Sequence, residues 1–433
     1  MIAFGIDIGT TTLRASAVAI EIGPFGKKQT QGVGTPHCVF TPYREGNLDE
    51  EAIVNTLKTW GQALPAPDAG TILFTGEAQR APNAAALGQR LTQTWSAFFS
   101  AQLDPDWETR VAAQGAGAVA LSAQRLGAKV VHFDVGGGTT NVAWIENGVI
   151  VDTACLDLGA RKWIVDVHGK VLRKTKQAEM IEARLEKKIT HFDVPTAQST
   201  AEKIADWILG RTPVPSEFVV VDWKQARTLT KATIFSFSGG VVDCLTQKKA
   251  PFAYGDLGPA LAAALIAGSK TLEKTIYLSK QKGSATAFGV SAFGFQVSGN
   301  SISAPDLNKL TNVPLFEEAE ALSKPLPPVA AVRMSSLGEE LTEMEARAAI
   351  WSKRLSELAD PPQVLAFLLE KNLAKSFGYV LEKAAGKGTT RFVVLDELPL
   401  APPEPGLPAR TLDLAPTPDG QRFLVTIKSL RLF

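Results

Sequence analysis

Residues 3–20 read AFGIDIGTTTLRASAVAI, and this stretch decides how the rest of the chain is interpreted. A short apolar strand ends at Gly9 and a second strand follows three threonines, so the pattern predicts a β-hairpin with its turn near Gly9. Because successive side chains of a strand face opposite sides, Ile6 and Ile8 point into a core while Asp7 points away from it. The hairpin therefore predicts a carboxylate at the edge of a cleft.

Residues 131–145 repeat this design as VHFDVGGGTTNVAWI, with Asp134 between two apolar residues. Consecutive backbone N–H groups in a glycine-rich turn bind anions, and threonine hydroxyls add donors, so both turns are predicted to bind phosphate. Asp7 and Asp134 would face each other across the phosphates, and close carboxylates repel unless a cation such as Mg²⁺ lies between them. We therefore predict both as catalytic and metal-binding residues. The predicted phosphate-binding residues are Gly9, Thr10, Thr11, Thr12, Gly136, Gly137, Gly138, Thr139 and Thr140.

A third element follows at residues 233–243, which read TIFSFSGGVVD. It predicts a strand that runs into Ser238, Gly239 and Gly240, where glycines let a base and its ribose lie against the backbone. The chain contains no Gly-x-x-x-x-Gly-Lys-Ser/Thr loop, and no Gly-x-Gly-x-x-Gly opens a helix after the first strand. The ordered trio resembles the superfamily of actin, sugar kinases and heat-shock chaperones. This resemblance implies an α/β, two-lobed actin-like ATPase fold with duplicated ribonuclease H-like domains and Mg-ATP in the cleft between the lobes.

The predicted organisation has three parts. Residues 1–125 form the first lobe, residues 126–300 form the second lobe with the adenosine-contact segment, and residues 301–433 form an extra C-terminal α+β segment. Helices are predicted at residues 50–63, 82–99, 177–188 and 197–209, from residue 114 onwards, and along an apolar stripe from Leu337 to Leu358. Strands are predicted at residues 391–396 and 422–428, an irregular proline-marked connection from Pro305 to Pro328, and an exposed loop over residues 399–418.

Composition excludes several classes of partner. The 45 basic and 44 acidic residues give a formal charge of +1, which offers no broad field for nucleic acid or an anionic membrane. The first residues lack the pattern of a signal peptide, and the most apolar stretch is too short to span a bilayer. The three cysteines, Cys38, Cys155 and Cys244, are dispersed, which favours a reducing compartment. We therefore expect a cytoplasmic protein.

Further stretches resemble one family more closely: TGEAQR at residues 75–80, NGVIVDTACLDLG at 147–159, FSGGVVDC at 237–244, PFAYGDLG at 251–258, VSGNSI at 297–302 and LVTIKSL at 424–430. Together they resemble the ethanolamine ammonia-lyase reactivating factors, the EutA family. The resemblance implies an ATP-dependent chaperone that releases damaged cobalamin from adenosylcobalamin-dependent ethanolamine ammonia-lyase, so that intact cofactor can bind. It also implies ATP hydrolysis, a small homo-oligomer and compatibility with a bacterial microcompartment.

Two segments depart from the family pattern. Residues 289–294 read GVSAFG where the family has a turn like GAGSHT, and Leu158-Gly159-Ala160-Arg161 has one glycine where the family has two. His132 is expected to be an ordinary strand residue.

Other functions of the same fold stay open at this point. A small-molecule kinase would need a carboxylate base, for which Asp68, Asp104 and Asp106 are candidates. An actin-like scaffold or an ATP-binding protein with little hydrolysis are further alternatives. Glu77 and Gln114 are candidates to orient an attacking water.

Overall fold

The computed structural model describes residues 2–22, 28–63, 67, 69–95, 98–102, 105–225, 227–246, 250–293, 295–297, 301–302, 310–334, 336–386, 389–396, 410–416 and 423–428. The chain forms two compact units. Unit 1 contains Met1–Ala19 and Thr30–Phe293, and unit 2 contains Ile20–Gln29 and Gly294–Phe433.

The first elements of the chain are β1 (Ile2–Ile8), β2 (Thr12–Ile22), β3 (Lys28–Phe40), β4 (Tyr43–Arg44), β5 (Asn47–Leu48), α1 (Glu50–Gln62), β6 (Ala69–Phe74), α2 (Ala84–Thr94) and β7 (Phe98–Gln102). In the part of the chain that the structure describes, they build a sheet in the order β3-β2-β1-β6-β7. Strands β1 and β2 pair in antiparallel fashion, and β1, β6 and β7 are parallel. The predicted hairpin around Gly9 is confirmed. The apolar face of β1 packs with α1 and α2 in one core, as the alternation predicts.

One helix in this part of the chain ends earlier than predicted. The helix expected over residues 82–99 ends at Thr94, and Phe98 and Phe99 belong to β7, where they pair with Gly70 and Thr71 of β6. Pairing with a distant strand overrides the local pattern here.

The following elements are α3 (Pro105–Gly115), α4 (Ala118–Gln124), β8 (Lys129–Val135), β9 (Thr140–Glu146), β10 (Val149–Leu156), β11 (Trp163–Val165), β12 (Val171–Lys174), α5 (Lys176–Arg184), α6 (Val194–Ile208), β13 (Val219–Val221), β14 (Ile234–Ser238), α7 (Gly240–Thr246), α8 (Gly258–Thr271), β15 (Thr275–Leu278) and α9 (Ala285–Phe293). Within the described residues, a second sheet has the order β13-β10-β9-β8-β14-β15. Strands β8, β9 and β10 are antiparallel, and β8, β14 and β15 are parallel. Each sheet thus joins an antiparallel hairpin that carries an aspartate to parallel strands, which is the predicted duplicated, actin-like α/β fold.

Helices α3 and α9 cross at very short distance between the two sheets of unit 1. Helix α3 packs on the second sheet, whereas α9 packs on β1 of the first. A Cβ atom on Gly115 would collide with the carbonyl oxygen of Ala285, and one on Gly289 would collide with that of Val111. The helix predicted to open at residue 114 is α4 and begins later, because α3 ends at Gly115 and α4 begins at Ala118. The segment from Gly289, expected to be a turn, is the second half of α9.

The helices predicted at 177–188 and 197–209 are present as α5 and α6, but α5 ends at Arg184, before the predicted end. Each begins at a side-chain cap, since Thr175 accepts a hydrogen bond from the Ala178 N–H and Asp193 accepts one from the Thr196 N–H. Both helices contribute to the core of the second sheet.

Unit 2 contains β16 (Phe295–Val297), β17 (Ser301–Ile302), β18 (Leu310–Glu317), α10 (Glu318–Ser323), β19 (Val329–Met334), α11 (Leu341–Glu357), β20 (Val364–Leu369), α12 (Ala374–Ala385), β21 (Arg391–Leu395), β22 (Arg410–Pro416) and β23 (Phe423–Lys428). The strand order among its described residues is β16-β23-β22-β18-β19-β20-β21-β17. Strands β18 to β21 are parallel and alternate with α10, α11 and α12. Strands β21 and β23 confirm the two predicted closing strands.

The apolar stripe predicted as a helix from Leu337 is helix α11 only from Leu341 onwards; Leu337 precedes the helix and packs in the same core of unit 2. Trp351 lies edge-to-face on Phe367 of β20, with ring centroids 4.9 Å apart. Two predicted irregular segments are strands instead. Strand β18 includes Pro314, which lies opposite Thr411 of β22 and precedes the part of β18 that pairs with β19. Part of the segment predicted as a loop over residues 399–418 is strand β22. This strand forms because β18 and β23 pair with it on its two sides. Residues 399–409 and 417–418 lie outside the described residues.

No helix in the described part of the chain is long and apolar enough to cross a membrane.

Candidate functional site

A cavity of about 330 Å³ opens in unit 1 where the hairpins β1–β2 and β8–β9 meet. Its volume is in the range of small-molecule sites. Its walls include the following predicted site residues: Asp7, Gly9, Thr10, Thr11, Thr12, Asp134, Gly136, Gly137, Gly138, Thr139, Gly239 and Gly240. Thr140 and Ser238 lie behind the wall. The Thr140 hydroxyl donates to the carbonyl of Leu158 at 2.8 Å, and the Ser238 hydroxyl donates to Asp134 at 2.6 Å.

The two glycine turns lie against each other in this cavity. Each turn is closed by a backbone hydrogen bond, from Gly9 N to Thr12 O at 3.0 Å and from Gly136 N to Thr139 O at 2.9 Å. A Cβ atom on Gly137 would lie 2.6 Å from the Thr11 hydroxyl oxygen. The absence of a side chain at Gly137 therefore lets the second turn approach the first.

The two predicted carboxylates share this environment. Burial raises the pKa of Asp7 to about 6, against the opposing effects of the Thr75 hydroxyl at 2.7 Å and the Arg14 guanidinium; the charge of Asp134 raises it further. Burial also raises the pKa of Asp134, opposed by Ser238, Arg14 and Thr286. Each carboxylate is therefore expensive to ionise in this site unless a positive charge joins it.

The residues fit a magnesium ion held mainly through phosphates and water. The described residues contain no group of three or more His, Cys, Asp or Glu side chains placed to hold a metal. Mg²⁺ in nucleotide sites is commonly bound by one or two carboxylates together with phosphate oxygens and water. Asp7 and Asp134 supply such a pair.

Two buried polar atoms of the wall have no hydrogen-bond partner among the described residues. They are the Thr11 hydroxyl oxygen and the Asn141 side-chain carbonyl oxygen. Buried polar groups are rarely left unpaired in folded proteins, so this pair indicates that a polar ligand or water completes the site. Asn141 was not predicted from the sequence, although it follows the second turn directly.

Arg14 supplies the positive charge of the described cavity wall, and sequence reasoning missed it. The β1–β2 register places Arg14 opposite Asp7. Its guanidinium donates to Asp243 at 2.9 Å and to the Thr12 hydroxyl at 3.0 Å, and its side chain is 7% exposed. Counting residues outward on both sides of the tight turn would have predicted that Arg14 lies opposite Asp7, since the register of a hairpin follows from its turn.

The segment after β10 holds the second glycine turn in place. The N–H of Ala160 donates to Gly136 O at 3.2 Å, and that of Arg161 donates to Gly137 O at 2.7 Å. A Cβ atom on Gly159 would lie 2.5 Å from Gly137 O, so this position must remain glycine. The single glycine that the chain keeps is therefore the one that the turn requires, and Ala160 fits in the buried wall.

The altered segment at residues 289–294 does not disturb the described site. It lies in α9, where the first turn supplies Thr286 to the wall and to Asp134. Gly289 faces α3 instead. Ala292 and Phe293 have no described side chains, and Gly294 lies outside the described residues.

The other nominated residues divide into two groups, those absent from the described wall and those outside the described residues. Asp106 binds Arg110 at 3.1 Å and accepts a hydrogen bond from Thr153, and it is absent from the described wall. Gln114 is also absent from that wall. Asp68, Asp104 and the Glu77 side chain lie outside the described residues. Glu108, in the first turn of α3, is a carboxylate of the wall that the sequence did not mark.

Residues 35–349 match the sequence model of the family described as Ethanolamine utilisation protein EutA. The chain belongs to this family. The ethanolamine ammonia-lyase reactivase EutA of Escherichia coli (strain K12) is 31% identical over 330 residues, which cover 70% of this chain and 69% of that protein. The reactivase of the same name from Salmonella typhimurium (strain LT2) is 30% identical over 342 residues, which cover 73% and 72%. The predicted EutA resemblance is confirmed.

Among solved structures, the chain is similar to the activator of the 2-hydroxyisocaproyl-CoA dehydratase from Clostridium difficile with bound ADPNP. The TM-score is 0.34 and the identity 13%, with 68% of this chain and 94% of that chain covered. The EutA family match begins at residue 35 and so does not include the first glycine turn. In the folded chain, the first glycine turn nevertheless lies against the second glycine turn.

Proposed function

We propose that this EutA-family protein is an ATP-dependent reactivating chaperone for adenosylcobalamin-dependent ethanolamine ammonia-lyase. The observation that carries the proposal is the family match, together with a cavity lined by both glycine turns. In this function the chaperone releases damaged cobalamin from the lyase, and intact cofactor replaces it. The protein would work as a small homo-oligomer in the cytoplasm, at or in a bacterial microcompartment, without a nucleic-acid or membrane partner.

ATP is the proposed ligand of the cavity. The N–H groups of both glycine turns and the Thr11 hydroxyl would bind its phosphates, and Gly239 and Gly240 would lie against adenosine. Arg14 would add a charge-assisted contact to the phosphates, in exchange for part of its pairing with Asp243. Asp7 and Asp134 would hold Mg²⁺, which supplies charge neutralisation and orientation of the phosphates when bound.

Hydrolysis needs a group that takes a proton from the attacking water. We propose Glu108, because its carboxylate lies in the cavity wall and glutamate commonly serves as a general base. Glu108 would also orient the water, the task for which the sequence nominated Gln114 and Glu77; Gln114 is absent from the described wall, and the Glu77 side chain lies outside the described residues.

Hydrolysis can drive release of cobalamin only if the nucleotide states differ in affinity for the lyase. A ligand shifts a conformational equilibrium only by its differential binding to the two states. The glycine turns belong to two different sheets, so ATP binding both of them would favour a closed cleft. Loss of the terminal phosphate would remove part of that bridge.

Recovery of lyase activity tests the proposal directly. Ethanolamine ammonia-lyase inactivated with cyanocobalamin would receive the purified protein, Mg-ATP and fresh adenosylcobalamin, with parallel samples that lack ATP or lack the protein. Recovery that requires both establishes the reactivating role. Absence of recovery with a cognate, intact lyase contradicts it. ATP consumption stimulated by a sugar or a carboxylic acid would then favour a kinase, and ATP-dependent sedimentation a scaffold.

A pair of matched variants tests the nucleotide site by itself. Thr11 and Thr71 both carry a buried hydroxyl oxygen without a described partner, but only Thr11 lies in the described cavity wall. Replacement by the similarly shaped valine removes the unpaired hydroxyl in each case. Thr11→Val should weaken ATP binding about tenfold by calorimetry, the usual effect of losing one hydrogen bond of about 1 kcal/mol or slightly more. Thr71→Val should leave ATP affinity at the wild-type value; equal affinities in both variants would refute the assignment.

A further inference from the structure

His132 lies between two serines in the interior of the second sheet and is fully buried. It belongs to β8, and the parallel register with β14 places it beside Ser236, with Asp134 beside Ser238. Its Nδ1 atom lies 3.0 Å from the Ser236 hydroxyl oxygen, and its Nε2 atom lies 3.0 Å from that of Ser238. Ser238 in turn donates to Asp134 Oδ1 at 2.6 Å.

These side chains form one polar face of two otherwise apolar strands. Alternate residues on the opposite face are Phe133, Phe235 and Phe237, whose rings pack on each other with centroids 5.1 to 6.4 Å apart. A polar row across a dry sheet costs desolvation free energy, which its members recover only by hydrogen-bonding each other. The row ends at Asp134, in the wall of the nucleotide cavity.

The direction of hydrogen bonding follows from counting protons. The single hydroxyl proton of Ser238 is donated to Asp134, so the Ser238 oxygen accepts from His132 and Nε2 must carry a hydrogen. In a neutral imidazole that carries its hydrogen on Nε2, Nδ1 has no hydrogen and is an acceptor facing the Ser236 hydroxyl. Nδ1 therefore accepts the hydroxyl proton of Ser236. Each donor in the row is used once and in one direction, towards Asp134.

We propose that His132 is a positioning residue which, as the Nε2–H tautomer, holds the Ser238 hydroxyl on Asp134 and thereby fixes the orientation of that carboxylate towards the bound nucleotide and its cation. Thr286, from α9, gives Asp134 a further hydrogen bond. Asp7 accepts a hydrogen bond directly from the Thr75 hydroxyl at 2.7 Å and lies opposite Arg14 in the β1–β2 register. This inference rests on the proposed nucleotide site and assigns a role that the sequence did not indicate for His132.

The tautomer can be measured without any nucleotide. Long-range ¹H–¹⁵N correlation spectra of the protein with ¹⁵N-labelled histidine at neutral pH distinguish Nε2–H from Nδ1–H rings, and loss of one signal in His132→Gln assigns the ring among the four histidines. We expect Nε2–H in the wild type. Ser238→Ala removes the acceptor and should shift the ring to Nδ1–H, donating to Ser236. The matched control Ser236→Ala should retain Nε2–H. An Nδ1–H ring in the wild type, or no shift in Ser238→Ala, overturns the proposal.

The positioning role is measured by cation affinity at fixed nucleotide. His132→Leu has no donor at the Nε2 position and should raise the concentration of Mg²⁺ needed for half-maximal ATP binding about tenfold, the effect of one hydrogen bond. His132→Gln places an amide N–H near the same point and should recover most of the loss, whereas ATP binding without Mg²⁺ should be equal in all three proteins. Equal Mg²⁺ requirements in His132→Leu and wild type overturn the positioning role and leave the proposed function intact. A wild type without Mg²⁺-dependent ATP binding contradicts the proposed function itself.

Discussion

Gly159→Ala tests the geometry of the second glycine turn most sharply. The added Cβ atom would lie 2.5 Å from the carbonyl oxygen of Gly137, 2.7 Å from its carbonyl carbon and 2.8 Å from the carbonyl oxygen of Gly136. These neighbours are backbone atoms and cannot rotate away. Since non-bonded carbon contacts are comfortable only near 3.5 Å, the turn must move by roughly 1 Å.

The size of the effect follows from what that movement disturbs. Overpacking a buried site costs about 1–3 kcal/mol. The same carbonyl groups accept hydrogen bonds from Ala160 at 3.2 Å and Arg161 at 2.7 Å, each worth about 1 kcal/mol. Because one shift causes both losses, we expect unit 1 to lose about 2–3 kcal/mol of unfolding free energy. A displacement of about 1 Å at the proposed phosphate donors should lower ATP turnover on the order of 100-fold.

Urea denaturation followed by tryptophan fluorescence, together with ATP turnover and calorimetric ATP binding, measures these losses. Gly61→Ala is the matched control, because its added Cβ atom in α1 has no neighbour within 4 Å and should stabilise the helix by up to about 1 kcal/mol. Gly138→Ala, whose nearest neighbour is the Thr10 hydroxyl at 3.9 Å, should keep its stability and lose only nucleotide affinity. Wild-type stability and turnover in Gly159→Ala would refute the inference that the segment after β10 holds the second glycine turn in place.

Four further predictions concern charged side chains of the cavity. Burial raises the pKa of Asp7 from 3.8 to about 6, so this carboxyl group ionises at lower pH in the unfolded chain than in the folded protein. The metal-free protein should therefore lose about 3 kcal/mol of unfolding free energy as pH rises between these two pKa values. Asp7→Asn should remove this loss in denaturation curves from pH 4 to about 7 and be the more stable protein at neutral pH; curves parallel to those of the wild type would contradict it. Arg14→Met breaks a buried ion pair and should cost about 3 kcal/mol and most ATP affinity, while the double variant with Asp243→Asn should recover stability but not ATP affinity in the same assays. Glu108→Gln should lower turnover at least 100-fold with unchanged calorimetric ATP binding, and a wild-type rate would remove Glu108 as the base. Asp134→Asn should abolish Mg-ATP turnover with an unchanged circular dichroism spectrum, and retained turnover would exclude Asp134 from the cation site.

Features that depend on neighbouring residues were predictable from the sequence alone. The two hairpins, their aspartates and the strand before Ser238 follow from local alternation and from glycine and threonine at fixed offsets. Helices α1, α5, α6 and α11 follow from apolar periodicity and, for α5 and α6, from a capping residue. Family membership also follows from the sequence, since it rests on the order of such motifs.

Features that depend on distant pairing were decided by the tertiary structure. Strands β7, β18 and β22 form because remote strands supply their hydrogen bonds, which overrides local proline or helix signals. Glu108 joins the site only when α3 is placed beside the cavity that the hairpins line. The His132 row becomes a hydrogen-bonded chain through the β8–β14 register, over a sequence separation of 104 residues. Gly159 and Gly289 are required by backbone atoms far along the chain, and close approach between remote segments leaves no local pattern in a single sequence.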